Sequence, residues 1–128
     1  MIWQDWAMVA AGTLGGAVSL VHATLMHRNL TIPVVERMRA QPRLANSTIR
    51  ILPLLLQLSS FAWFVGGLTL IASAFSESAD AKVVTAMLVG SLYLYGAIGN
   101  AWATRGRHPG WALMALACVL LVLSLTLR

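Results

Sequence analysis

The sequence predicts an all-α integral membrane protein, a bundle of four membrane-spanning helices that forms a single domain over residues 1–128. Two observations carry this prediction. The composition is 59% hydrophobic and only 10% charged, and the apolar residues are concentrated in four long stretches. A helix needs roughly 20 apolar residues to cross a hydrocarbon core about 30 Å thick. The predicted spans are Trp6–Met26, Ile51–Phe75, Val83–Thr104 and the shorter Trp111–Leu127.

The first span begins among aromatic residues, as expected where a helix enters the headgroup region. Trp3 and Trp6 flank Asp5, and no basic residue precedes them. A cleavable signal peptide would begin with a cationic segment, so we expect this helix to be retained in the mature protein. All spans are predicted to be helical because unpaired backbone groups at membrane depth are costly.

The long first connector, residues 27–50, is predicted to be amphipathic. Pro33 suits the first turn of a short helix over Val34–Ala40, and this helix would lie along the membrane surface with its cations near anionic lipid. A soluble partner or an anionic ligand is the alternative use of the cations. The arginines predicted to contact lipid or an anion, here and in the third connector, are Arg37, Arg39, Arg43, Arg105 and Arg107.

Small residues recur at helical spacing in the first and third spans, where close backbone approach favours helix association in lipid. The predicted packing positions are Gly12, Gly16, Ser19, Gly96 and Gly99. They are predicted to hold the four helices together, and a dedicated homodimer face is the alternative. The fourth span is almost entirely apolar, so we expect one of its faces to meet lipid or a partner protein: Ala112, Ala115, Cys118, Val122 and Leu125.

The distribution of cations predicts the orientation. Of the nine Lys and Arg residues, seven lie in the first and third connectors, whereas the second connector carries Glu77 and Asp80 against Lys82. Short basic loops stay in the cytoplasm. Connectors one and three are therefore predicted to be cytoplasmic and both termini external, in the inner membrane of a bacterium.

Three polar residues within the spans are predicted to lie at one depth. His22 and Asn100 lie five residues before His27 and Arg105, the first cytoplasmic connector residues, and Gln57 lies six residues after Ile51, which is roughly 7 to 9 Å at 1.5 Å per residue. Unpaired polar groups in hydrocarbon are costly, so hydrogen bonding among the three is expected. The cluster is either a structural network or a functional site, because an ionisable residue within a membrane is a candidate site by default.

The sequence offers little for catalysis or for a cofactor. Only His22 of the three histidines is clearly within a span, and a metal site built with His27 and His108 would lack carboxylate or thiolate ligands. We therefore predict no catalytic residues, no metal and no cofactor. The net charge of +5 is accounted for by orientation in the bilayer, so nucleic acid is not predicted as a partner.

Two short segments are similar to a known family. Glu36-Arg37-Met38-Arg39-Ala40 resembles part of the basic motif of the membrane-associated eicosanoid and glutathione enzymes, and Asn46 followed by Pro53 is similar to the start of their second span. The resemblance would imply a four-span enzyme. The acidic residue that this family places shortly after the asparagine has no counterpart between Asn46 and Pro53, where Arg50 stands. An enzyme is therefore only a minor alternative.

The function expected from these features is that of a small non-catalytic accessory or assembly subunit, bound to the lipid bilayer and to other membrane subunits or copies of itself. The alternative is an oligomeric transporter or channel for a small solute or ion, with His22, Gln57 and Asn100 at its inner mouth. Such a path would need Thr13, Ser19 and Ser91 along its outer half.

The predicted orientation can be tested by cysteine labelling in whole cells. In a Cys118→Ala background, a cysteine at Ser78 should react with an impermeant thiol reagent from outside, and a cysteine at Ala45 should react only after the membrane is opened. The reason is the excess of arginine in the connector that contains Ala45. Labelling of the Ala45 site alone in intact cells would reverse the topology.

Overall fold

A computed structural model describes residues 2–41 and 43–126 of the chain, and all regular secondary structure in these ranges is helical. The helices are α1 (Trp3–Met26), α2 (Ile32–Arg39), α3 (Asn46–Ala74), α4 (Ala79–Thr104) and α5 (Gly110–Thr126). The first, third and fourth are long and apolar enough to cross a membrane, and α5 is apolar but shorter. The predicted membrane-spanning all-α bundle is confirmed. The predicted end of the last span, Leu127, lies outside the described residues.

The first helix is longer than predicted because α1 continues into α2 through one wide π-helical turn, His27–Thr31. Pro33 explains this turn: proline has no N–H to donate and its ring crowds the preceding turn of helix. The Thr31 hydroxyl donates to the Met26 carbonyl across the turn at 3.2 Å. The two turns expected around Val34–Ala40 are therefore present as α2, but as an extension of the first helix rather than as a separate segment.

All three connectors between the long helices contain few non-helical residues. Helix α3 begins at Asn46, five residues before the predicted Ile51, which leaves a first connector of only a few non-helical residues. Helix α4 begins at Ala79 and is capped by Ser78, whose side chain accepts from the Ala81 N–H at 3.2 Å. It ends in a left-handed turn at Arg105 and Gly106, where the Gly106 N–H reaches the Ala101 carbonyl at 2.8 Å.

The four long helices form a ring in the order α1, α3, α4, α5, with α5 packed against α1 as well as α4. Helices α1 and α4 therefore face each other across the centre. We call the end that carries α2 and the connector 105–109 the basic end, because seven arginines lie there, and we call the other the opposite end. Tyr93, Met8, Leu70 and Met114 are the largest fully enclosed apolar side chains between the helices.

Helices α1 and α3 cross in direct backbone contact at Gly12 and Gly67. A Cβ added to either glycine would stand 2.5 Å from the carbonyl oxygen of the other, closer than Cβ atoms approach in proteins. Close approach of small residues is the main way in which helices associate in lipid, where burial of apolar surface gives no advantage over lipid tails. This crossing fixes the distance between the two helices.

Two aromatic residues fill the space that neighbouring glycines leave open. The Tyr93 ring of α4 lies over Gly15 of α1, and the Trp63 indole of α3 lies over Gly96 of α4; a Cβ on either glycine would overlap the ring. The Tyr93 hydroxyl donates to the Trp63 carbonyl at 3.3 Å. Both rings are buried. Tyr93 therefore links the diagonal pair α1 and α4, and Trp63 joins the neighbouring helices α3 and α4.

The predicted packing residues fall into two groups. Gly12 and Gly96 lie at the close contacts, and Ser19 is buried with its hydroxyl donating to the Gly16 carbonyl. Gly16 and Gly99 have no atom within 4 Å of where a Cβ would stand. They belong to the same stripes in sequence, but a side chain at either position would point into open space. The Gly16 backbone itself lies at the crossing, with its nitrogen 3.1 Å from where a Cβ on Gly67 would stand.

Only part of the α5 face chosen from sequence points outward. Ala115, Cys118 and Leu125 pack against the buried core, and the Cys118 thiol lies 3.7 Å from the Gly90 carbonyl. Because α5 fits between α1 and α4, the stripe that was expected to be free is partly covered. Ala112 and Val122 of the chosen face are exposed, and Leu116 and Val119 extend the outward surface, with about half of each of their side chains exposed.

One ion pair ties the first and third spans together at the opposite end. The Lys82 ammonium lies 2.6 Å from the Asp5 carboxylate, and both side chains are largely buried. The second Asp5 oxygen accepts from the Ile2 N–H at 3.0 Å. Removing one partner of such a pair would leave the other charge uncompensated.

The glycine crossing predicts different effects for two neighbouring substitutions. Gly12→Ala should lower the free energy of unfolding in detergent by about 1–3 kcal/mol, because the new methyl group would meet a backbone carbonyl that cannot move aside. Gly16→Ala, the matched control, should instead raise it by about 0.5–1 kcal/mol, the usual gain from replacing glycine inside a helix. Equal effects of the two substitutions would contradict the crossing.

Candidate functional site

His22 lies on α1 near the basic end, one turn before the wide turn. Its Nδ1 is 2.9 Å from the Ser60 hydroxyl of α3. The edge of its ring meets the Trp63 indole, with the ring centres 4.9 Å apart and the planes at 62°. The imidazole is thus held against α3 by one hydrogen bond and one aromatic contact.

The hydrogen bond to Ser60 indicates which nitrogen carries the proton. Ser19 and Ser124, the other buried serines with a hydrogen bond, donate to carbonyls of their own helices. The Ser60 hydroxyl has His22 Nδ1 as its partner and no carbonyl within the described residues. We assign Ser60 as the donor to Nδ1, because its hydrogen would otherwise have no acceptor within the described residues, and this assignment places the hydrogen of a neutral imidazole on Nε2. His22 presents an N–H donor on its free side.

Asn100 lies on α4, across the centre of the bundle from His22. Its Oδ1 is enclosed and without a hydrogen-bond partner in the described chain, whereas its Nδ2 is not enclosed. The Nδ2 side faces the start of α5, where a Cβ on Gly110 would come within 3.4 Å of it. The accessible part of this amide is therefore also a donor.

Gln57 is not part of the arrangement expected from sequence. Its Nε2 donates to the Ala23 carbonyl of α1 at 3.0 Å, and its Oε1 is enclosed without a partner. It lines a small groove with Ser19 and Ala23, away from Asn100. Among the described residues no hydrogen bond joins any two of His22, Gln57 and Asn100. They lie at a similar depth, but Gln57 is turned to the other side of α1.

Two clefts open at the basic end, and both are lined by His22 and Asn100. The larger, about 680 Å³, lies between α3 and α4 and also contacts Trp63, Gly99 and Thr104. We call it the α3–α4 cleft. Leu55, Leu58, Leu92 and Tyr95 form its mouth and are exposed, so it opens sideways into the lipid.

The smaller cleft, about 220 Å³, lies on the opposite side of the bundle between α1 and α5. It brings His108 and Pro109 of the third connector near His22 and Asn100. His108 Nδ1 accepts from the Gly110 N–H at 3.1 Å, which fixes the start of α5. Sequence weighed His108 beside His22 only as a metal ligand, and it did not single out Ser60, because its proximity to His22 depends on how the helices are rotated.

The five arginines predicted to contact lipid or an anion are all exposed at the basic end. Among the described residues none of these arginines forms a salt bridge. The salt bridge that does form there joins Lys82 and Asp5. Their charges are therefore not neutralised within the described chain. This end of the bundle carries an uncompensated positive field next to the two clefts.

Comparisons with known proteins do not place the chain in a family. No family model matches the sequence, and no curated protein or solved structure matches it.

The site geometry predicts opposite effects for two substitutions in the ligand-free, detergent-purified protein. Ser60→Ala should lower the free energy of unfolding by about 0.6–1.7 kcal/mol, the range for a hydrogen bond between membrane helices. Asn100→Leu should leave it unchanged or higher, because it removes an enclosed oxygen that has no partner. A larger loss for Asn100→Leu than for Ser60→Ala would mean that the asparagine is paired.

Proposed function

We propose that the protein is a small non-catalytic accessory or assembly subunit of the bacterial inner membrane, with its basic end in the cytoplasm, which acts by lateral association with another membrane-spanning helix. The observation that carries this proposal is Tyr95. Its side chain is 81% exposed on α4, and within the described chain its hydroxyl has no hydrogen-bond partner. It stands nine residues, about 13 Å of helix, from the end of α4.

A phenol hydroxyl at this depth loses its water partners and finds none in lipid tails, which costs free energy unless another group pairs with it. Tyr95 does not stand alone. Exposed residues lie on both sides of it along α4 at helical spacing, and they form a stripe of two aromatic rings, two branched apolar side chains and one serine: Leu88, Ser91, Tyr95, Ile98 and Trp102. Aromatic residues of this kind are common anchors in protein interfaces. We call these five residues the α4 stripe and propose that the partner helix packs against them.

The closed centre of the bundle favours association over transport. Tyr93, Met8, Leu70 and Met114 fill the space between the helices beyond the clefts. The hydroxyls of Thr13, Ser19 and Ser91, which a transport path would need, each donate to a carbonyl of their own helix. These hydroxyls are therefore satisfied without water. A path for a solute would have to be built between copies of the chain.

The proposal is tested by native mass spectrometry of the protein purified in mild detergent. We expect a stoichiometric complex with a second membrane protein or a defined homo-oligomer. Tyr95→Phe should weaken association about threefold or more, the equivalent of one hydrogen bond between membrane helices. Phe61→Leu, at a comparably exposed position on α3, is the matched control and should leave it unchanged.

Two results would overturn this function. One is a strictly monomeric protein in native lipid particles. The other is solute flux into liposomes that contain only this protein, which would favour the transporter.

A further inference from the structure

We propose that α2 and the start of α3 form a basic hairpin that extends beyond the lipid headgroups and binds an acidic segment of a soluble protein. We call residues 32–41 and 43–50 the basic hairpin. This surface lies outside the membrane, on the side that holds the basic end. It is separate from the α4 stripe, so it does not rest on lateral association with another membrane helix.

The length of the first helix carries the hairpin past the headgroups. Helices α1 and α2 are continuous through the wide turn, and together they cover 37 residues, Trp3–Arg39. At 1.5 Å per residue this is about 55 Å, whereas a bilayer with its headgroups is about 40–45 Å thick. The usual helix tilt of about 20° shortens the span along the membrane normal by only about 3 Å. Roughly 10 Å of helix therefore extends beyond the bilayer.

The excess lies at the basic end because the ion pair fixes the depth of the opposite end. Asp5 of α1 lies beside Lys82 of α4. Exposed Trp102 follows Lys82 by 20 residues, which is about 30 Å and equals the thickness of the hydrocarbon core. Counted in the same way from Asp5, the core ends near Leu25. Arg37 lies about 18 Å further along the helix, beyond a headgroup layer of about 5–8 Å.

The backbone keeps α2 in line with α1 and beside α3. Met26, Thr31 and Ile32, at the two ends of the wide turn, have right-handed helical φ and ψ angles, so no break separates the two helices. Helix α2 packs against α3, which is one helix from Asn46 into the bundle. Two helices joined by such a short connector form an antiparallel hairpin. An α2 that lay flat on the membrane would lose its contacts with α3.

The basic hairpin presents unpaired cations to water. Among the described residues none of its arginines forms an ion pair, and complementary charge steers and orients a partner. A surface with this excess of positive charge therefore fits an acidic partner. The hairpin carries four exposed arginines against one exposed glutamate: Arg37, Arg39, Arg43 and Arg50, with Glu36.

The type of cation favours a protein over lipid. The chain contains one lysine, Lys82, which belongs to the ion pair at the opposite end. Anionic lipid attracts lysine and arginine alike. Arginine, however, is enriched and lysine depleted at protein interfaces, and its guanidinium group can bind a carboxylate through two parallel hydrogen bonds. Residues 32–50 also contain no aromatic side chain on which a nucleic-acid base could stack.

Binding is measured with the full-length protein in nanodiscs of neutral phosphatidylcholine at an ionic strength of about 0.1 M. The probe is a fluorescent polyglutamate peptide about 20 residues long, followed by fluorescence anisotropy. We expect saturable binding. The triple variant Arg37→Gln, Arg39→Gln and Arg43→Gln should bind about tenfold more weakly, because three exposed ion pairs are lost.

A second triple variant removes the same charge close to the membrane: Arg28→Gln, Arg105→Gln and Arg107→Gln. It should change the affinity less than about twofold, because charges further apart than about 10 Å are screened at this ionic strength. Equal losses in the two triple variants would show a general positive field and overturn the proposal. Tighter binding of an oligothymidylate of the same length would assign the hairpin to nucleic acid instead.

The height of the hairpin is measured separately, with a nitroxide label at Ala40 in a Cys118→Ala background. A neutral, water-soluble nickel chelate should relax this label equally in nanodiscs with and without anionic phosphatidylglycerol, because the label stands in water in both. A label at Leu68, exposed on α3 within the membrane, is the control and should be protected by lipid. Protection of the Ala40 label by phosphatidylglycerol would overturn the proposal and assign the hairpin to the lipid surface.

Discussion

The contact between the backbones of Gly12 and Gly67 determines the shape of the rest of the bundle. In lipid, helices gain little from burying apolar surface, so their association depends on close packing and on hydrogen bonds. At this crossing α1 and α3 approach so closely that neither glycine could carry a Cβ without a clash. The Tyr93 hydroxyl lies against the same place, 3.2 Å from where a Cβ on Gly67 would stand, so the third long helix is fixed relative to the first two.

The clefts result from a difference in helix packing on the two sides of the Gly12–Gly67 crossing. Towards the opposite end, small residues and the Asp5–Lys82 ion pair draw the helices together. Towards the basic end the residues between the helices are larger and polar: His22, Trp63 and Asn100. A Cβ on Gly99 would meet no atom within 4 Å, so the space between α3 and α4 is unfilled there, and the hydrogen bond between His22 and Ser60 holds the imidazole against α3. The bundle is therefore closed in one half and open in the other.

Sequence predicted the features that depend on composition and on position along the chain. The spans, the concentration of arginines at one end and the common depth of His22, Gln57 and Asn100 all follow from counting residues. The sequence could not predict how each helix is rotated about its own axis, and so which residues face a neighbouring helix. Gln57 and Ser60 are three residues apart on α3, yet one meets the Ala23 carbonyl and the other meets His22. Gly96 and Gly99 are also three apart, and only Gly96 lies under a ring. The extension of the first helix past Met26 was missed because Pro33 indicated a new start, whereas a wide turn absorbs it.

The central claim is that α3 and α4 pack together near Gly66 and Gly96 and separate towards the basic end. It can be tested by pulsed electron spin resonance on two pairs of nitroxide labels in the protein in lipid nanodiscs. One pair, at Leu68 and Met87, reports the closed half, and the other, at Leu54 and Trp102, reports the half with the cleft; all four side chains are exposed. The account predicts a longer and broader distance distribution for the Leu54 and Trp102 pair. Equal distances for the two pairs would show that the helices run parallel and that the cleft does not exist in the bilayer.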